Sequence, residues 1–463
     1  MTHGLFIFNA RLLDESVDGP GAVLVIEGKI RAVFQGYFTN EDTVKALAKS
    51  ILNEDGCEDC SLAYYDAHGL TVTPSFIDMH VHFRYPGQTQ KEDLQSGLSA
   101  AVAGGFGTVV LMPNTNPVVS SSDTAHQIED EAASYKMADV IQTVSITKDF
   151  SGTDTSHIDN IEGISIITED GHDVNSSLVM LDAMSKCTVK GIIVDCHCED
   201  ESFTASAKEY RKRALQNKDT SELGLIQAEA DLQEANRLLA LAEDIATERN
   251  ISLAKNAGCQ IHVAHVSTAN SIYAIKEAKA EADFIGGGFS ITCEVTPHHF
   301  ALNAETGENI KLIVNPPLRS EIDRQALLQA FTDGTVDVIS TDHAPHTLED
   351  KQNGAPGFSG LETSFAVANT ELVETGVISI NRLSELMSAN PAKILGLDNK
   401  YSFDGARGKL EEGFLANLVL VDLTEEWTVD SSKFKTKGKI CPFENMEVIG
   451  KVTATWFKGE KVF

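Results

Sequence analysis

Positive charge is what this sequence has least of. Lysine and arginine total 37 against 68 aspartates and glutamates, a formal net charge of −31. Nucleic acid and anionic membrane surfaces need a basic face, so both are excluded as partners. The acid excess reads as a solvated surface. Long apolar runs are missing too. No stretch approaches the roughly 20 residues that span a bilayer. Met1 to Leu13 lacks the basic region and apolar core of a signal peptide. Cysteine is sparse, eight residues in 463. Cys196 and Cys293 fall in apparent core strands, which suits reduced thiols in a cytoplasmic protein. Cys57-Glu-Asp-Cys60 has no second pair at zinc-finger spacing, so it reads as two loop thiols in an acidic turn.

The rest is ordinary globular composition, 42% hydrophobic and 23% charged. The length predicts one barrel-sized unit plus a smaller module. From about Phe76 to Ala344 one theme repeats: a β-branched apolar run ends in a polar residue, and a helical stretch follows. The strand candidates are Ile77–His82, Thr108–Asn114, Val140–Lys148, Ile164–Asp170, Gly191–His197, Gln260–His265, Ser290–His298 and Asp337–Asp342. Eight such units predict an α/β fold of the (β/α)8 TIM-barrel type, whose chemistry collects at the C-terminal strand ends. An open doubly wound sheet would instead concentrate it at one switch point. A charged helical segment, Ser206 to Asn250, interrupts the spacing between the fifth and sixth strands. Short alternating runs at both termini predict a small β-sandwich built from residues 1–70 and 405–463, flanking a barrel over 71–404. Asn40 to Cys60 reads as a helical, acidic insertion in that module.

The strand ends carry the candidate chemistry. Residues two apart in a strand share a face, so His80 and His82 project side by side. His197 and His265 close two later strands, Asp170 the fourth and Asp342 the eighth. Four imidazoles and two carboxylates are too many for one tetrahedral metal site, but they suit two metals sharing a bridging carboxylate. Arg84 lies two residues past His82 and faces the same way if the strand continues. Asn114, Asn315 and His346 complete a cationic, amide-bearing set fitted to a carboxylate-bearing ligand. These residues describe a metal-dependent hydrolase acting on a small anion.

Phe83-Arg-Tyr-Pro-Gly-Gln, Gly104-Gly-Phe-Gly-Thr-Val-Val-Leu-Met-Pro-Asn-Thr-Asn-Pro, Asn315-Pro-Pro-Leu-Arg, Thr341-Asp-His-Ala-Pro-His and Gly360-Leu-Glu-Thr together resemble the class I dihydroorotases of the amidohydrolase superfamily. The resemblance implies two zinc ions per subunit. His80, His82 and Asp342 would hold one, His197 and His265 the other, and Asp170 would bridge them. Related hydantoinases and allantoinases bridge with a carboxylated lysine on the fourth strand; here no lysine lies between Lys148 and Lys186. By the same resemblance Arg84, Asn114 and His346 bind the substrate carboxylate, while Asn315 and the backbone near Pro356 and Gly357 meet the ring. Asp342 is the expected catalytic proton carrier. His262 is placed to orient a ligand, and His298, His299 and His343 take structural or orienting roles. The chain departs from the family pattern at Tyr85, at Thr168-Glu169 and at Ala416-Asn417, none of which removes a ligand.

The implied activity is reversible closure of N-carbamoyl-L-aspartate to L-dihydroorotate and water, in pyrimidine (UMP) biosynthesis. The expected partners are that small substrate, a second copy of the chain in a homodimer and, as a candidate, aspartate carbamoyltransferase. Two rivals stand beside it: another cyclic-amide hydrolase, and a metal-free homologue that only supports aspartate carbamoyltransferase.

Overall fold

The computed structural model describes residues 3–54, 61–217, 220–286, 288–305, 312–400 and 405–463. Cys57 and Cys60 lie outside the described residues. The alternating runs of the N-terminal flank form β1 (His3–Leu13), β2 (Asp18–Ile26), β3 (Lys29–Gln35), β4 (Ser61–Asp66) and β5 (Thr71–Pro74). The apolar runs of the middle form β6 (Phe76–Val81), β7 (Phe106–Leu111), β8 (Asp139–Gln142), β9 (Val144–Ser145), β10 (Ile166–Thr168), β11 (Ile193–Cys196), β12 (Gln260–Val263), β13 (Ser290–Val295) and β14 (Val338–Ile339). The C-terminal flank adds β15 (Leu418–Thr428), β16 (Glu447–Phe457) and β17 (Glu460–Lys461).

The terminal strands form one eight-stranded sheet in the order β17-β16-β15-β5-β1-β2-β3, with β4 paired to β1. The sheet folds over itself in the manner of a sandwich. Leu5, Ile7, Val23 and Val25 share one core with Leu418, Leu420, Ala454 and Trp456, and Tyr65 meets Trp456 edge-on at 5.0 Å. The expected acidic insertion is α1 (Glu41–Glu54), whose Val44 and Ala48 cover Phe6, Phe8 and Leu24 on the other face. β5 carries this sheet past residue 70, up to the first barrel strand.

The middle strands are all parallel. One set runs β6-β7-β8 and the other β14-β13-β12-β11-β10-β9. β8 and β9 are two halves of the single third strand, broken at Thr143, so the expected continuous run Val140–Lys148 pairs with β7 through one half and β10 through the other. The ring closes where Val81 bridges His343 and the His82 N–H donates to His343 O at 2.8 Å. These contacts make the eight-position barrel that the sequence pattern predicts.

Helices cover its outside and are started by polar caps. α2 (Leu94–Ala103) opens with a reciprocal Asp93–Ser96 capping box. α3 (Ser122–Ser134) and α4 (Ser177–Lys190) begin at Ser121 and Ser176, whose hydroxyls accept from the first turn. The long fifth-to-sixth connection folds as α5 (Glu201–Gln216) and α6 (Glu222–Ala257), pinned to each other by Ala207, Ala235 and Leu239. Cys196 and Cys293 are buried free thiols, as expected, and burial pushes the Cys293 thiol up to about 12. Among the described residues no helix is long and apolar enough to cross a membrane.

Candidate metal centre

Strand alternation stacks the barrel interior in layers. Ile166, Ile193 and Val338 sit with Val110 in one apolar cluster. Two residues further along each strand come Thr168, Asp195 and Ser340, all buried. Two further still come Asp170, His197 and Asp342. The polar residue that ends each apolar run is thus the next inward position. β6 supplies His80 and, just past its last residue, His82. β12 leads to His265 by a tighter path, because its φ is +32°. Asp342 (φ +46°) and Arg84 (φ +56°) share this left-handed backbone. Such φ values are uncommon for residues with a side chain, and here they mark three residues where regular strand geometry has ended. The strand therefore does not continue to Arg84, and alternation is not what orients it.

Asp170 is the hub. Its Oδ1 lies 3.2 Å from His80 Nε2, 3.2 Å from His197 Nδ1 and 3.6 Å from His265 Nε2. Its Oδ2 lies 3.4 Å from His82 Nε2. Asp342 Oδ1 stands 3.2 Å from His82 Nε2 and 3.8 Å from His80 Nε2. All six side chains are buried. Gly171 follows with φ +80°, and a Cβ there would come within 3.2 Å of Asn114 Nδ2, so glycine lets the chain turn sharply behind the hub.

The donor set fits divalent metal. Most of these separations lie at or beyond the outer limit of an N–H···O bond. They match the edge of a coordination shell instead: bonds of about 2.0–2.2 Å give a tetrahedral edge of about 3.3–3.6 Å. His80 Nε2 is fully buried and makes no hydrogen bond. His80, Asp170 and His265 form one group of converging ligand atoms, and His80, His82 and Asp342 another. The charges agree. Burial alone would raise the Asp170 carboxyl, but His80, His197 and His265 outweigh it and hold it well below the usual range. Burial likewise opposes a charged His197, yet Asp170 and Glu199 lift it to about 10. The cluster is built to gather positive charge.

The remote nitrogens of these rings are tied down. His80 Nδ1 meets Glu294 Oε1 at 3.0 Å, His82 Nδ1 meets Asn114 Oδ1 at 3.0 Å, and His197 Nε2 meets Glu199 Oε2 at 3.0 Å. Glu294 also receives the His265 N–H at 3.2 Å and His262 Nε2 at 3.2 Å. Fixing one ring nitrogen leaves the other facing the metal position. His262 thus shares Glu294 with His80. His343 pairs with Glu92 and His299 with Thr296 and Pro316, both structural contacts. The His298 ring packs edge-to-face with Phe358, centroids 5.4 Å apart.

Beside this cluster lies a cationic wall. Arg84 is buried; its Nε donates to Pro345 O at 3.3 Å, and its Nη2 lies 3.1 Å from His346 Nε2. Burial pulls Arg84 down to about 10 and, with Arg84 and Lys91 nearby, pulls His346 to about 3. Asn114 reaches the hub, its Nδ2 donating to Asp170 Oδ2 at 3.0 Å. Asn315 Oδ1 accepts from Arg211 at 2.6 Å. The backbone groups expected to meet the ring are engaged within the protein: Pro356 O with His346 Nε2 at 2.8 Å, and the Gly357 N–H with Ile313 O at 3.0 Å. The structure therefore brings His80, His82, Asp170, His197, His265 and Asp342 together, with Arg84, Asn114 and His346 alongside.

Sequence reading missed Glu294, Glu199, Lys91, Arg211 and Lys351. A signal existed for two of them. Glu199 lies two residues past His197, and Glu294 takes an inward position of β13.

The Amidohydrolase family model matches residues 71–462. The chain is 35% identical over 459 residues to a dihydroorotase of Clostridium botulinum, covering 98% of both chains. It is 37% identical over 425 residues to a dihydroorotase of a Thermoanaerobacter species, covering 90% of both. The L-hydantoinase of Arthrobacter aurescens shares the fold, with TM-score 0.80 at 24% identity over 99% of this chain and 95% of that one. Barrel, donor set and relatives agree: the chain belongs to the amidohydrolase family, and both of these sequence relatives are dihydroorotases.

Proposed function

We propose that this protein is a zinc-dependent dihydroorotase, interconverting N-carbamoyl-L-aspartate and L-dihydroorotate for pyrimidine (UMP) synthesis. The observation that carries the reading is the hub carboxylate of Asp170 facing four imidazoles, with the buried cation of Arg84 beside it. His80, His82 and Asp342 would hold one zinc, His197 and His265 the other, with Asp170 shared. Bound there, the two ions would supply hydroxide at neutral pH and polarise the ring carbonyl.

The chain's own residues do the rest. Arg84 and the neutral His346 take the substrate carboxylate together with Asn114, which is bonded to the hub, and this fixes the ring. Asp342 accepts the proton of the attacking water and returns it to the departing amide nitrogen. Ring closure runs the same transfers backwards. The backbone near Pro356 and Gly357 meets the ring from the loop that carries His346. In this reading residues 71–404 carry the chemistry, and residues 1–70 with 405–463 form the supporting module. The assembly expected with it, a homodimer with aspartate carbamoyltransferase as candidate partner, is decided by sedimentation of the protein alone and mixed with that enzyme.

The deciding experiment is a steady-state assay of both substrates, alongside hydantoin and allantoin, with and without chelator and with elemental analysis. Turnover of dihydroorotate that chelator abolishes and zinc restores is expected. Metal-free, inactive protein, or preference for hydantoin or allantoin, overturns the reading.

A further inference from the structure

Asn315 is an amide, and an amide has two chemically opposite ends. Which end faces a ligand decides whether the site selects an acceptor or a donor. Arg211 settles this. It stands on α5, in the long insertion between the fifth and sixth barrel strands, and reaches the segment 314–315. Its Nη1 donates to Asn315 Oδ1 at 2.6 Å and its Nη2 to Val314 O at 3.3 Å. A guanidinium carries donors only, so the group facing it must be the Asn315 oxygen. The Asn315 NH2 is thereby turned the other way. Among the described residues no hydrogen-bond acceptor is recorded for it.

The segment is held from its other side as well. Lys351 donates to Ile313 O at 2.7 Å and to Gly357 O at 2.9 Å, and the Gly357 N–H also meets Ile313 O. Residues 313–315 are thus gripped between an insertion helix and the loop that carries His346. Gly357 sits at φ +127°, and a Cβ there would come within 2.7 Å of Ala344, so this grip has no slack for a side chain.

We propose that Arg211 is a positioning residue that orients the Asn315 amide, so that its NH2 is the donor that recognises a ring carbonyl oxygen of the substrate. The inference rests on the dihydroorotase reading and adds to it a specificity element outside the barrel strands. Asn315 with its oxygen forward would present an acceptor and would meet that carbonyl with repulsion.

A double-substitution cycle on the zinc-loaded enzyme tests it, with Arg211→Ala, Asn315→Ala and the pair. If Arg211 acts through Asn315, each single substitution raises KM for dihydroorotate about tenfold, the worth of one hydrogen bond to a charged or polar group. kcat moves much less. The pair is then no worse than Asn315→Ala alone. Arg211→Lys, which keeps a donor, restores most of the loss, and zinc content is unchanged throughout. Additive effects, an unchanged KM in Arg211→Ala, or loss confined to kcat with loss of zinc overturns the proposal while wild-type activity stands. A wild-type enzyme without dihydroorotate turnover overturns the functional reading, and this inference with it.

Discussion

The two walls of the site are built on opposite principles. The metal wall places carboxylates against imidazoles at strand ends, so each charge there is compensated by its neighbours. The cationic wall places Arg84 and Lys91 on the segment after β6, Arg211 on an insertion helix and Lys351 on a short helix after the eighth strand; backbone carbonyls answer Arg84, Arg211 and Lys351, and Asp350 lies 3.7 Å from Lys91. The first is fixed by the barrel itself and the second by segments added to it. Barrel strands hold geometry for chemistry, while the added segments choose what is brought to it.

The largest expected effect falls on the metal wall. Asp342→Ala removes the proton carrier and one proposed ligand together, and turnover should fall by about 10^3-fold or more. Dihydroorotate binding, measured by calorimetry, should change far less, because Arg84 and His346 are untouched. A variant retaining a tenth of wild-type turnover would erase the division of labour between the walls.

Glu294 probes the same wall one step back. It braces His80, His262 and the backbone of His265 at once. Glu294→Gln keeps the shape but cannot accept from both rings, so zinc affinity should drop about 10–100-fold. Chelator competition reads this directly. Wild-type retention of zinc would reduce Glu294 to packing.

The same contrast explains what the sequence could tell. The barrel and the six candidate ligands were legible because a β-branched run ending in His or Asp states both strand and inward position. Strand limits were less so. β10 ends at Thr168, yet Asp170 still takes the next inward place. Thr143 breaks the third strand because its two halves pair with different neighbours. Glu294 was missed because its partner His80 is more than two hundred residues away, and only barrel closure joins them. Arg211 was illegible for a further reason: helical periodicity in an insertion says nothing about where the helix folds back. Arg84 was chosen for its spacing from His82, but a left-handed turn places it.

The smallest effect belongs to the cationic wall and concerns stability. Lys351 is buried, its ammonium meets two carbonyls, and it lies 4.9 Å from the Phe358 ring centroid. Burial first, then repulsion from Arg211, pulls its pKa from 10.5 down to about 7. A neutral amine still has two hydrogens for its two carbonyl acceptors. Between about pH 7 and 10.5 the unfolded chain therefore keeps a proton that the folded chain has released. Stability rises with pH wherever the unfolded state binds more protons, so Lys351 costs most below about pH 7 and progressively less above it. Lys351→Met removes the titration along with the hydrogen bonds. The melting temperature of wild type relative to this variant should climb from pH 7 to pH 10 as the lysine sheds its charge. A difference that stays flat across that range would mean the lysine remains charged when folded, and that the cationic wall, like the metal wall, is compensated by its surroundings.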